Sequence, residues 1–569
     1  MAQGARPGPG WQGAAGYVRG GSGVGQGGGW VARAPRTPWW QREGVISRAL
    51  AVAGVGVTLV GVLMLLVLAA QAGFFGPVAR VVAGGVFSAA LVGAGLRVFG
   101  RPGGRVGGIA LVATGIAGGY LDVVAVTGYY HWVPAGVGLV AALAVALFGL
   151  GVAMRWQSQP LAVGVVLGAA LLSPALTVDL MLLGFLLVLQ AVGVPVQMRR
   201  NWPVLHVVRT LPIVFASLCM VALNGLAGAT STSEVVRRGG LTAAVIACAA
   251  IGVVGAVLVT RRRPTDITAS ITMAVTALPV LAVSVLFDRV PATAITGTLA
   301  AVLLGLAAAT LIPALANGLR IPAHTALVSA LTGAVALLQT CARATGAEPD
   351  LLPTALFAVA LAFLAVAATT RTRVAASIGL AFAVLSGLIL FATANPETLA
   401  LQRLAEQRLD LATAVSALLG LGVAAMVVWT VPRLPGWREQ VLVTGMWIAV
   451  SIGGLYFVLV AAVSLGVTLG GGDGFVVGHS LATIVWMAAA TTSLFYGLRR
   501  ITRSPAVAKV CLASGLLVAA AALAKLFLFD LATLSGLVRV AAFLVVGILL
   551  LLTGTRYARA FADSESSRT

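Results

Sequence analysis

The chain has 569 residues, 60% of them hydrophobic and 9% charged, against roughly 45–50% and about 25% in soluble domains, which excludes a water-soluble globular protein. Its 37 basic and 16 acidic residues leave a net charge of +21, and every basic residue except Lys509 and Lys525 is arginine. A mean hydropathy of +1.04 directs that charge to a lipid bilayer and away from nucleic acid.

Residues 1–44 are glycine, alanine, proline and arginine in strings such as GARPGPGWQG and GGSGVGQGGGW. They hold too few branched apolar residues to offset the entropy of ordering, so the sequence predicts a disordered basic arm on the cytoplasmic side. The arm is too long and too glycine-rich for the start of a cleavable signal peptide, and the apolar run from Val45 is of full spanning length. That run is expected to be a retained first span.

Crossing about 30 Å of hydrocarbon takes about 20 apolar residues in a helix. Eighteen segments qualify: 45–70, 78–97, 107–128, 134–153, 160–176, 178–198, 203–223, 239–260, 266–287, 291–313, 321–342, 351–369, 373–394, 410–431, 440–466, 475–498, 505–530 and 536–556. The expected fold is therefore an all-α integral membrane bundle of about 18 transmembrane helices. The transmembrane domain covers residues 45–559, and a short cytoplasmic tail covers 560–569. Connections such as FFGP, GRPGGR, RRRP and NGLRIP are short; the longest, Asn395 to Leu409, has about the length of an interfacial helix.

The distribution of arginine sets the orientation. With both termini inside, 26 of the 37 basic residues fall in the arm, the tail and the cytoplasmic loops, among them Arg97, Arg101, Arg105, Arg261, Arg262, Arg263, Arg371, Arg373 and Arg433. Eight fall outside: Arg80, Arg237, Arg238, Arg289, Arg343, Arg403, Arg408 and Arg539. Arg237 and Arg238 run against the trend. Removing the span 203–223, with its His206, Arg209 and Pro212, would correct them but would expel the Arg261–Arg263 triplet, so the span is kept. Trp156, Trp202, Trp429 and Trp437 on the inner side and Tyr129, Tyr130 and Trp132 on the outer side stand where aromatic belts form.

The four cysteines, Cys219, Cys248, Cys341 and Cys511, lie apart, with no CxxC and no Cys/His cluster, so neither a disulfide framework nor a metal site is expected. His206 and Arg209 share a helix face at i, i+3, while His131, His324 and His479 are isolated along the chain. Strings such as GVGVTLVG and GGIALVATGIAGG read as small-residue packing faces and not as nucleotide loops, and no GxxxxGK[ST] occurs. No cofactor is expected.

Two regions resemble a known family of large bacterial multi-spanning proteins, the domain of unknown function 2339. One is GFFGPVARVVAGG, Gly73 to Gly85, continuing through LVGAGLRV to RWQSQPLAV; it is similar to the family's N-terminal hairpins. The other is AKLFLFDLATLSGLVRVAAFLVVGILLLLTG, Ala524 to Gly554, similar to its closing hairpin with Lys, Asp and Arg at these spacings. The resemblance extends from about Val45 to Arg559. Related sequences often carry a lysine late in the first span, where this chain has LVLAAQ. The family implies an integral membrane protein and no established activity. The two regions also resemble each other, aligning Arg80 with Arg539 and Ala83 with Ala542. Either an internal duplication, as in transporters whose repeats frame a site, or convergence in an apolar alphabet would give this likeness.

Ionisable groups inside a span cost about 2.5–3.5 kcal/mol each on insertion scales, so those present are expected to face protein or a wet cavity. Asp122 lies about 9 Å below the outer end of its span at 1.5 Å per residue, and Lys525 lies at a similar depth. Arg80, Asp530 and Arg539 belong to the same outer level. Lys525 and Asp530 stand about 140° apart around their helix, so Asp530 is expected to pair with Arg539 across the ATLSG turn, leaving Lys525 for Asp122 or a ligand anion. These five form a candidate ligand site; the bland alternative is a set of snorkelling or ion-paired charges that fix helix order.

The expectation is a multi-pass protein of the bacterial inner membrane, more non-enzymatic than catalytic, linked to transport or envelope physiology. Its partners would be the lipid bilayer and an anionic lipid or small solute, with no nucleic acid. A transporter or flippase is the alternative. A transferase is the weakest reading, because the loop from Asn395 to Leu409 offers only Glu397 and Glu406 in a solvated setting.

Overall fold

The computed structural model describes residues 76–226, 232–436, 440–500, 504–530 and 543–552, with a few single positions besides. The arm at 1–44, most of the expected span 45–70 and the tail at 560–569 lie outside the described residues. Within them the chain is helical, without a strand. Fifteen helices there are long and apolar enough to cross a membrane, and Gln159–Ala175 and Phe543–Leu552 are shorter apolar helices.

In chain order the helices are α1 (Pro77–Phe99), α2 (Arg105–Val124), α3 (Ala135–Trp156), α4 (Gln159–Leu172), α5 (Leu180–Arg199), α6 (Pro203–Leu226), α7 (Thr232–Arg262), α8 (Ile267–Val283), α9 (Arg289–Ala309) and the short α10 (Pro313–Leu319). They continue with α11 (Ala323–Ala344), α12 (Leu352–Thr370), α13 (Arg373–Thr393), the short α14 (Pro396–Ala400) and α15 (Gln402–Arg408), α16 (Leu411–Thr430), α17 (Gln440–Leu469), α18 (Gly474–Arg500) and α19 (Pro505–Lys525). The last is α20 (Phe543–Leu552). The segment 203–223, doubtful for its polar residues and Pro212, is helical throughout, and the long loop from Asn395 to Leu409 is built of α14 and α15.

Local chemistry sets the helix ends. Prolines open α1, α4 and α14, where the missing N–H has no intrahelical acceptor to lose. The side chains of Asp266, Asn395 and Asp410 accept from the backbone N–H of Ala269, Thr398 and Thr413, capping α8, α14 and α16. Arg320 and Arg371 close α10 and α12 in left-handed conformation at φ 49° and 55°. A cation at a helix C-terminus faces the negative end of the helix dipole.

Because lipid tails are as apolar as leucine, close packing and hydrogen bonds hold these helices together. Gly95 of α1 and Gly108 of α2 meet backbone to backbone, a separation that a side chain on either would prevent. The α8–α11 seam is polar: Ser270 Oγ is 2.8 Å from Thr325 Oγ1, and the Gln339 amide donates to the Leu281 carbonyl and to Ser284 Oγ, 2.9 Å each. One large core runs from Val112 to Ala336, a second from Ala330 to Phe475, and a small third joins Met487, Ala522, Leu526 and Val546. Leucines and valines such as Val82, Leu171, Val384 and Leu516 point outward, as a lipid-facing surface requires. Trp429 is exposed at a helix end as a belt residue should be, but Trp156 stacks on Phe99 at 3.9 Å and Trp202 is buried.

Candidate functional site

α2 carries the first of the intramembrane charges. Its regular turns stop at Val124 and pass into a π turn over Ala125–Tyr129, a widened turn that frequently accompanies function. Asp122 stands one turn before it. The Asp122 carboxyl rests against Gly84 and Gly85 of α1, in the room left by their missing side chains. Arg80 lies one turn nearer the same helix end, half-buried. A crevice of about 230 Å³ opens beside Asp122, lined also by Val126, Thr127 and Gly138. It adjoins a wider space of about 490 Å³ under His131 and Trp132, because Thr127 and Val133 line both.

Lys525 occupies the corresponding place on α19. It is the last residue before a second π turn, Leu526–Asp530. Its Nζ donates to the His479 carbonyl at 3.0 Å and to Thr483 Oγ1 at 2.7 Å, both on α18. His479 in turn donates from Nε2 to the Leu399 carbonyl of α14 at 2.9 Å, which ties the loop helices to the same locus. Asp122 and Lys525 therefore share a setting: each is an intramembrane charge just before a π turn at the same end of the bundle.

The structure brings Arg80 and Asp122 to one helix pair, α1 with α2, and Lys525 to another, α18 with α19. Among the described residues, close helix packing joins α1 to α2 and α19 to α18. The backbone of Asp530 completes the second π turn. Its side chain and the whole of Arg539 lie outside the described residues.

A third polar locus gave only a faint sequence signal, the i, i+3 spacing of His206 and Arg209. Both are buried on α6, Arg209 at 4% exposure and His206 at 1%. Arg209 donates to the Gln190 carbonyl of α5 at 2.6 Å and to His206 Nδ1 at 3.0 Å. Its aliphatic stem fills the space over Gly193, and the Gln190 amide donates to the Cys248 carbonyl of α7 at 3.4 Å. A guanidinium buried among neutral acceptors thus ties α6 to α5, and the Gln190 amide ties α5 to α7. His324, isolated along the chain, is a staple across it as His479 is: it accepts from Ser270 Oγ at 2.9 Å and donates to the Pro264 carbonyl at 2.7 Å. No sequence spacing could reveal this, because the partners lie 54 and 60 residues away.

Comparison with curated proteins and with solved structures finds no match. A family model described as "Predicted membrane protein (DUF2339)" matches residues 47–406, more than half of the chain. The match takes in α1, α2 and the Arg209 locus, whereas the closing segment from Ala524 lies beyond it. With its apolar spanning helices and this match, the chain belongs to the DUF2339 family of predicted membrane proteins.

Proposed function

We propose that this chain is a non-enzymatic, multi-pass protein of the bacterial cytoplasmic membrane, with a role in transport or envelope physiology, and that it moves an anionic lipid or small anionic solute. The observation that supports this is Lys525: a cation within a span, bonded to a main-chain carbonyl and a hydroxyl beside a π turn. Asp122, with its own π turn and crevice, would serve as the acidic counterpart, releasing cargo or coupling to protons. In this reading Arg80, Asp530 and Arg539 form the rim at the same end. The likeness of the Arg80 and Arg539 segments fits the repeats that frame sites in carriers.

The test is reconstitution into liposomes carrying a trace of fluorescent phosphatidylglycerol, followed by quenching from outside with dithionite. Scrambling above the protein-free rate, abolished by Lys525→Met, is the expected result. A wild-type rate equal to that of empty liposomes with both fluorescent phosphatidylglycerol and entrapped small anions removes the carrier reading.

A further inference from the structure

Between α13, α16 and α17 lies an apolar groove of about 480 Å³. Glycines hollow it out, one from each helix: Gly387, Gly420 and Gly453. A side chain at Gly387 would meet nothing within 4 Å, so the space is open there, while Gly420 is backed by the Phe457 ring. Along α16 the groove follows one face from Gly420 to Val431, about 16 Å at 1.5 Å per residue, most of a bilayer leaflet. Val384, on its wall, is 62% exposed, so the groove is open to the surrounding hydrocarbon.

Its end at Val431 is charged. Arg433 follows two residues later, its guanidinium 3.8 Å from the centre of the Trp429 ring and bonded to the Trp429 carbonyl. Arg373 begins α13, the groove's other wall, and donates from Nε to the Pro435 carbonyl at 2.5 Å. Both arginines are exposed and held at the same mouth by the turn that follows α16. An acyl chain matches an apolar channel a leaflet long, and a phosphate matches two fixed guanidinium groups at its end.

We infer that this groove binds one anionic phospholipid, with an acyl chain laid along Gly387, Gly420 and Gly453 and the headgroup phosphate at Arg373 and Arg433. The site is separate from the Lys525 locus, at the opposite end of the helices, and it holds whether or not the protein is a carrier.

The test is native mass spectrometry of the full-length protein released from mixed vesicles of palmitoyl-oleoyl phosphatidylglycerol and phosphatidylcholine in equal amounts. Wild type should retain one phosphatidylglycerol per chain in preference to phosphatidylcholine. Gly387→Leu sets its Cβ in open space and extends into the groove, so it should fold as wild type by thermal melting yet lose the bound lipid. Arg373→Gln and Arg433→Gln should each lower the preference for phosphatidylglycerol about fivefold, and Arg433→Lys should keep most of it. Equal retention of both lipids by wild type, or undiminished retention in Gly387→Leu, overturns the inference. So does a dimer mass that disappears in Gly387→Leu, because a second copy would then be the occupant.

Discussion

The carboxyl group of Asp122 occupies the place where Gly84 has no side chain: a Cβ built on Gly84 would overlap its Oδ1. The relationship couples a half-buried acid to a glycine 38 positions away in the chain. The helix α1 is notched where α2 presents its charge.

Gly84→Ala should therefore displace Asp122 and destabilise the α1–α2 pair by about 1–3 kcal/mol, the usual cost of overpacking. Thermal melting of the purified protein in detergent measures it. The double variant Gly84→Ala with Asp122→Ala should recover much of the loss, because the two side chains compete for one space. Additive effects would show that the notch and the carboxyl are independent.

Lys525→Met keeps the length of the side chain and deletes its bonds to His479 and Thr483. Hydrogen bonds within membranes average about 0.6 kcal/mol, so losing these two should cost about 1 kcal/mol together. Phosphatidylglycerol scrambling should nevertheless vanish. A large fall in the melting midpoint with transport intact would make Lys525 a structural clamp.

Arg209 gives the contrary expectation. The guanidinium is desolvated among neutral acceptors, and replacing such a buried charge by an apolar side chain of similar volume is often neutral or stabilising. Arg209→Met should preserve or raise the melting midpoint, whereas Arg209→Ala should lower stability by about 2–5 kcal/mol through the cavity it leaves over Gly193. If Arg209→Met destabilises as much as Arg209→Ala, its hydrogen bonds and not its bulk hold α5 and α6 together.

Orientation can be read with introduced thiols in a cysteine-free background. Pro102 lies exposed in the turn between α1 and α2, and Glu397 lies exposed on α14 at the opposite end, beside the fully buried Thr398. In spheroplasts an impermeant maleimide should label Glu397→Cys and spare Pro102→Cys until the membrane is opened. The reverse pattern would invert the arginine-based orientation.

What the sequence by itself determined was the one-dimensional part of the problem. Long apolar runs broken by Pro, Gly and Arg place α1 to α6, α8, α9, α11 to α13 and α16 to α19 to within a few residues, because a bilayer demands helices of a set length whatever their neighbours are, whereas α7 begins at Thr232, before the expected 239, and takes Arg237 and Arg238 into the helix. The cost of burying charge singled out Asp122 and Lys525, and the structure sets both beside π turns that nothing in their spacing announced. Only tertiary structure decided the partners. That Asp122 rests on Gly84, that Lys525 bonds to His479 and Thr483, that Arg209 ties α5 to α6, and that Gly387, Gly420 and Gly453 face one groove all depend on which helix packs on which. With lipid as apolar as the side chains, the hydrophobic pattern that gives each helix its place in the membrane is nearly the same all round it. Small-residue contacts and hydrogen bonds, which leave little trace in a single sequence, choose its neighbours.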